Sequence, residues 1–190
     1  YFKAIFFYLF GVNWQIYLLH ASLMNAALTL TTFFVLRDFN LNIHYSFAYS
    51  LFFSVLAYPI SGTPFVDLHS AFFALLGIYC LILGIKNEKK LYWILLPIFL
   101  GFSFLSKQVP SSYVIISTIL TLSIFTLVNK KYYWIKYSSL STIAFIVVLA
   151  IFGKIQGINL SSFLEQYIFY PQTIGAERID SYTFTLKGVI

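Results

Sequence analysis

Between Leu91 and Val128 the chain runs for 38 residues with a single charged side chain, Lys107. One helix of that length would reach about 57 Å, nearly twice the roughly 30 Å of hydrocarbon in a bilayer. The stretch must therefore fold back on itself. Lys107-Gln108-Val109-Pro110-Ser111-Ser112 is the only polar break at which it can turn. Other long runs behave alike: Leu51–Ala57 and Ala71–Ile85 contain no Asp, Glu, Lys or Arg. Only 9% of the chain is charged and 60% is hydrophobic. A soluble domain carries about a quarter charged residues, so a globule this poor in charge could not cover itself toward water. Its solvent is lipid.

The expected fold is an all-α, polytopic transmembrane helical bundle with about six crossings, near 14–36, 44–60, 69–85, 91–106, 110–128 and 137–152. Arg37-Asp38-Phe39-Asn40 ends the first crossing, and Pro59 with Ser61-Gly62-Thr63-Pro64 stops the second. Lys86-Asn87-Glu88-Lys89-Lys90 closes the third. Residues 153–190 are more polar and read as an extracytoplasmic segment with short helices at the membrane surface. Residues 1–190 read as one membrane domain. The chain opens on Tyr1 rather than Met, so it is expected to be a piece of a longer protein.

The net charge of +6 does not point to nucleic acid, because the basic residues sit in short clusters between apolar runs. Alternate loops collect Arg37, then Lys86, Lys89 and Lys90, then Lys130, Lys131 and Lys136, and this set is expected to face the cytoplasm. Tyr92-Trp93 and Tyr132-Tyr133-Trp134 adjoin those clusters and read as interface aromatics. Asp67, His69, Lys107 and residues 153–190 then fall on the opposite face, where any chemistry should lie. Richness in Phe, Ile, Lys and Asn suggests an AT-rich bacterial genome, hence a bacterial inner membrane. Cys80 stands alone within an apolar run, reads as a small buried hydrophobe, and allows no disulfide within the chain.

Two outer positions and one polar stretch are candidates for chemistry. Asp67, at the mouth of an apolar helix with His69 two residues on, could hold an acceptor hydroxyl or a divalent cation; its bland role is helix capping. Lys107 ends an apolar helix in a turn too short to let it wander. It reads either as a snorkelling ammonium or as a fixed cation for phosphate, with Gln108 as a neutral donor beside it. Glu177-Arg178 closes a Pro/Gly turn, and Arg178 could contact a lipid phosphate or simply form a solvated pair. Asn25, Thr29, Thr31 and Thr32, and likewise Ser117, Thr118, Thr121 and Ser123, read as glue between helices. His20 reads as a packed or interfacial histidine that could also face the outer site. No crossing carries an ionisable residue at mid-depth, which counts against a proton- or ion-coupled transporter. Gly-rich phosphate loops, Cys/His zinc patterns and Gly-x-Ser-x-Gly are absent from the sequence.

Three stretches, Trp14 through Arg37, Tyr58-Pro59 through Asp67-Leu68-His69-Ser70, and Asn87-Glu88-Lys89-Lys90 with Trp93, Gly101 and Phe104-Leu105-Ser106-Lys107, form a recognisable pattern. Together they resemble the GT-C glycosyltransferases of the protein O-mannosyltransferase and aminoarabinose transferase type. The likeness spans about residues 10–130. It implies a polyprenyl-phosphate-linked sugar donor, an acceptor on the extracytoplasmic face (lipid, glycan or protein), and direct transfer assisted by a carboxylate. By resemblance Asp67 matches the acid of the second outer loop, which helps arrange the site or a metal, and Lys107 matches a phosphate-facing cation. The principal acid of the first outer loop would lie before or around Tyr1. Lys107, Gln108, His69 and Arg178 are the expected substrate-binding residues, and a divalent ion on Asp67 and His69 is the one cofactor envisaged. The rival readings are a lipid or polysaccharide flippase or transporter, and a non-catalytic membrane scaffold.

Overall fold

A computed structural model describes residues 2–57 and 66–173. Among them every regular element is helical. A short helix α1, Phe2–Phe10, precedes α2 (Trp14–Asp38), α3 (Ile43–Ala57), α4 (Val66–Asn87), α5 (Lys90–Ser106), α6 (Gln108–Asn129) and α7 (Tyr133–Ile155). A last short helix, α8 (Leu160–Leu164), runs on into a π-turn over Glu165–Phe169. Six helices thus stand where six crossings were expected. Four of the described helices, α2, α4, α6 and α7, are long and apolar enough to cross a membrane. Helices α3 and α5 hold 15 and 17 residues, about 22 and 26 Å at about 1.5 Å per residue. Helix α1 was not anticipated from the sequence. Gly11, at φ +85°, ends it in a conformation that L side chains rarely adopt.

Local chemistry sets the boundaries. The side-chain oxygen of Asn13 accepts from the Ile16 amide at 2.9 Å and caps α2. Asn42 accepts from the His44 amide at 2.9 Å and opens α3. Asn40, Glu88 and Lys130 hold φ of +61°, +55° and +54° in three of the turns. The turn between α5 and α6 is tighter than the sequence suggested, since Lys107 alone makes it with extended backbone. Pro110 falls inside the first turn of α6, where a missing N–H leaves no helical bond unmade. The helix therefore starts two residues before its proline.

The chain divides into two compact units, Tyr1–Ile143 and Ala144–Ile190, with the boundary inside α7. In the first unit α4 and α5 pack most intimately. A Cβ placed on Gly77 would meet Leu100 Cδ2 at 2.8 Å, and one on Gly84 would meet the Trp93 ring at 3.0 Å. Small residues on α4 let α5 come this close, as is common where helices pack in lipid. Trp93 is fully enclosed and sits in a core with Cys80, Leu81, Leu96, Leu100 and Leu122. This corrects its reading as an interface aromatic. The gap left by Gly84 accepts the indole, so Trp93 packs inward despite its neighbouring lysines. Cys80 is buried, as expected.

Pro97 lies inside α5 and cannot donate to the carbonyl of Trp93 one turn earlier. Ser138 of α7 donates to that carbonyl instead, at 3.0 Å, and Ser141 donates to the carbonyl of Ile94 at 2.6 Å. In a lipid environment a freed backbone group needs such a partner from a neighbouring helix. The proline and the two serines together fix the start of α7 against α5.

In the second unit Asn159 caps α8 by accepting from the Ser161 amide at 3.1 Å and its hydroxyl at 2.9 Å. Phe163 and Tyr167 stack at 5.1 Å. Within the expected surface segment α7 runs on to Ile155, and one short helix, α8, follows it. Arg178 and Glu177, like residues 58–65, lie outside the described residues.

Candidate functional site

Hydrogen bonds sort the turns of the first unit to two ends. At one end Lys86 of α4 pairs with Asp38 at the close of α2, with Nζ 3.1 Å from Oδ2. Asn87 Nδ2 donates to the same carboxylate at 2.9 Å. Lys86 also lies over the Phe39 ring at 4.3 Å. Glu88 pairs with Lys131 beside the start of α7. The carboxylate of Glu88 raises the Lys131 ammonium above its usual range, chiefly through their hydrogen bond. All four charged partners are substantially exposed. Lys86 and Lys131 belong to the basic set that the sequence collected on one face, and here they tie α4 to the end of α2 and to the turn before α7.

At the opposite end three buried, neutral hydroxyls meet. Ser70 in the first turns of α4, Ser103 near the end of α5 and Ser111 at the start of α6 are all at most 1% exposed. Ser111 Oγ lies 2.7 Å from both Ser70 Oγ and Ser103 Oγ. Ser103 donates to the Ser70 carbonyl at 2.8 Å, and Ser111 donates to the Lys107 carbonyl at 2.7 Å. The three hydroxyls lock α4 to the one-residue turn at Lys107. Asp67 and His69 at the start of α4 are thereby brought to the same end as Lys107 and Gln108, both half-buried. The structure joins two stretches that the sequence singled out separately.

His69 is buried and meets His20 of α2, with ring centroids 5.1 Å apart and planes at 34°. Phe6 of α1 closes over His20 edge-on at 4.9 Å. His20 is therefore packed at the same end of the bundle as His69. Asp67 and His69 both fall within α4, and helical positions two apart lie on different faces.

Beside His69 a cavity of about 280 Å³ opens between α2, α3 and α4. Its walls are mainly apolar, with Leu28, Phe53, Phe72 and Leu75 lining it alongside His69 and Asn25. Asn25 Nδ2 donates to the carbonyl and hydroxyl of Ser54 at 3.2 and 3.1 Å and so ties α2 to α3 at the cavity. Thr32 shares a 2.8 Å bond with Tyr79, joining α2 to α4 deeper in the bundle. These two act as the expected glue. Thr29, Thr31, Thr121 and Ser123 instead bond carbonyls of their own helices. Sequence reasoning missed Ser70, Ser103 and Ser111. Their only signal was that all three flank the polar ends of apolar helices.

Among the described residues no group of three or more His, Cys, Asp or Glu could hold a metal ion. No family model matches the sequence, no curated protein matches it, and no solved structure matches the chain.

Proposed function

We propose that this chain forms part of a membrane glycosyltransferase of the GT-C kind, moving a sugar from a polyprenyl-phosphate donor to an acceptor outside the cytoplasm. The observation that carries the reading is a junction of two chemistries. An apolar cavity between α2, α3 and α4 runs up to His69, and the start of α4 is bound through Ser70 to the turn that carries Lys107. A lipid-linked sugar needs both halves, an apolar slot for its tail and a polar, cationic end for its phosphate.

In this reading six crossings span the bilayer, the basic turns lie in the cytoplasm, and the serine-locked end faces outward. Asp67 assists the acceptor nucleophile as it attacks the anomeric carbon. Lys107 takes up charge developing on the departing lipid phosphate. The tail reaches the cavity sideways from the bilayer.

The test is transfer from polyprenyl-phosphate sugars by the full-length protein in membranes, with Asp67→Asn and Lys107→Ala alongside the wild type. Loss of about 100-fold or more in either variant, with folding intact, is the expected result. Transfer that both variants leave untouched would remove these residues from the site. No transfer from any of several donors would favour a flippase or a scaffold.

A further inference from the structure

We infer that the basic end of the first unit carries a binding site for an anionic phospholipid, formed where the turns before α5 and α7 meet. The inference goes beyond the transferase reading and needs no part of it, only that the bundle lies in a bilayer. Lys89, Lys90, Lys130, Lys131 and Lys136 belong to these two turns and to the first turns of the helices that follow, against the single carboxylate of Glu88. Lys131 already pairs with that carboxylate, and Lys86 is engaged by Asp38. Lys89, Lys90, Lys130 and Lys136 are exposed, and among the described residues none of them makes an ion pair.

The fold gathers this surplus of charge in one place. Glu88 and Lys131 join the two turns, and Ser138 and Ser141 hold the start of α7 on the Trp93 and Ile94 carbonyls of α5. Lys90 Nζ accordingly lies 5.5 Å from the centroid of the Tyr137 ring on α7. Like charges held together repel one another, and an anion seated among them relieves the repulsion. Charge alone would suit any polyanion, but the surroundings select a lipid. Leu91 and Ile94 on α5, Leu127 and Val128 on α6 and Ile135 on α7 are exposed within about a turn of the lysines. A phosphate held at the helix ends would therefore have its acyl chains alongside apolar side chains, a gain that no soluble anion shares. Lysine serves as a point charge toward phosphate oxygens. Clusters of about four to eight basic residues at a membrane surface attract anionic lipids, each residue adding roughly fivefold in affinity.

The experiment reconstitutes the purified full-length protein in phosphatidylcholine bilayers and titrates in brominated phosphatidylglycerol or brominated phosphatidylcholine, reading the quenching of tryptophan fluorescence. Trp93 and Trp134 stand in the first turns of α5 and α7, beside the lysines, and Trp14→Phe removes the third tryptophan of this chain. Half-maximal quenching is expected at about tenfold less phosphatidylglycerol than phosphatidylcholine. That preference should disappear in the triple variant Lys90→Gln, Lys130→Gln, Lys136→Gln, and survive Lys154→Gln in the second unit. It should also weaken in the wild type as salt is raised, a measurement that needs no variant to fold. Equal quenching by the two lipids in the wild type, or a preference that persists in the triple variant, would overturn the inference. So would displacement of the lipid by equimolar inorganic phosphate, which would make the site one for a soluble anion. No sugar donor enters this measurement. Lipid preference without transfer would leave the inference standing and remove the transferase reading, and transfer without lipid preference would do the reverse.

Discussion

The two ends of the helical bundle are held by different physics. At the basic end, Asp38, Lys86, Glu88 and Lys131 carry full charges in exposed pairs. At the other end, Ser70, Ser103 and Ser111 carry none and are enclosed. Exposed ion pairs are worth about 0–1 kcal/mol, because water solvates the separated ions well. Buried hydroxyls surrounded by apolar side chains have no such alternative, and one left without a partner costs about 1–3 kcal/mol. The end that looks weaker by charge is thus the one whose bonds cost more to break.

The largest effect should come from breaking the hydroxyl end. Ser103→Val removes the donor to the Ser70 carbonyl and a partner of Ser111, and it forces a methyl pair into a closed space. A loss of about 3 kcal/mol is expected in an unfolding titration in mixed micelles. Stability within about 0.5 kcal/mol of wild type would show that the hydroxyls are incidental.

A step smaller is Gly84→Ala, whose added methyl would stand 3.0 Å from a Trp93 ring that has nowhere to move. Overpacking of this kind should lower stability by about 1–3 kcal/mol. The same assay should rank it below Ser103→Val, and tolerance without cost would mean that α4 and α5 sit further apart. Ser138→Ala should follow at about 0.6–1 kcal/mol, because it strips the Trp93 carbonyl of the donor that stands in for Pro97. Restoring the helical donor with Pro97→Ala should make that loss disappear, and an undiminished loss in the double variant would refute the pairing.

The smallest effect belongs to the charged end. Glu88→Gln should shift the thermal midpoint very little at neutral pH, since both partners are about half exposed. Its pH dependence carries the information. Lys131 is raised by Glu88, so the pair contributes in full below the usual lysine range and is lost as pH rises through the elevated value. Wild type and variant should therefore converge in strongly alkaline solution, and divergence there would mean that Glu88 acts through some other contact.

Much of this architecture was readable before any coordinates. The unbroken stretch from Leu91 to Val128 required a fold-back, and Lys107 is where it occurs. Alternation of basic turns sorted Arg37, Lys86 and Lys131 to one end, and Lys86–Asp38 and Lys131–Glu88 do meet there. Trp93 was misread because neighbouring charge was taken as a guide to depth. The packing instead follows Gly84, which lies nine residues earlier in the chain and meets the indole through a contact between helices.

Length, charge placement and turn chemistry, all local, are what the sequence alone determined: apolar helices, where they break, and which turns share an end. Only the tertiary structure decided that Ser70, Ser103 and Ser111 converge, that His20 stands on His69, and that a cavity opens beside them. The reason lies in the solvent. In water an apolar stripe marks the face a helix buries, but in lipid the inner and outer faces are equally apolar. Helices α4 and α7 are almost equally hydrophobic, yet half of the α4 span is buried against 6% of the α7 span. With no hydrophobic contrast around each helix, rotation is set by small residues and hydrogen bonds that find their partners only once the helices meet.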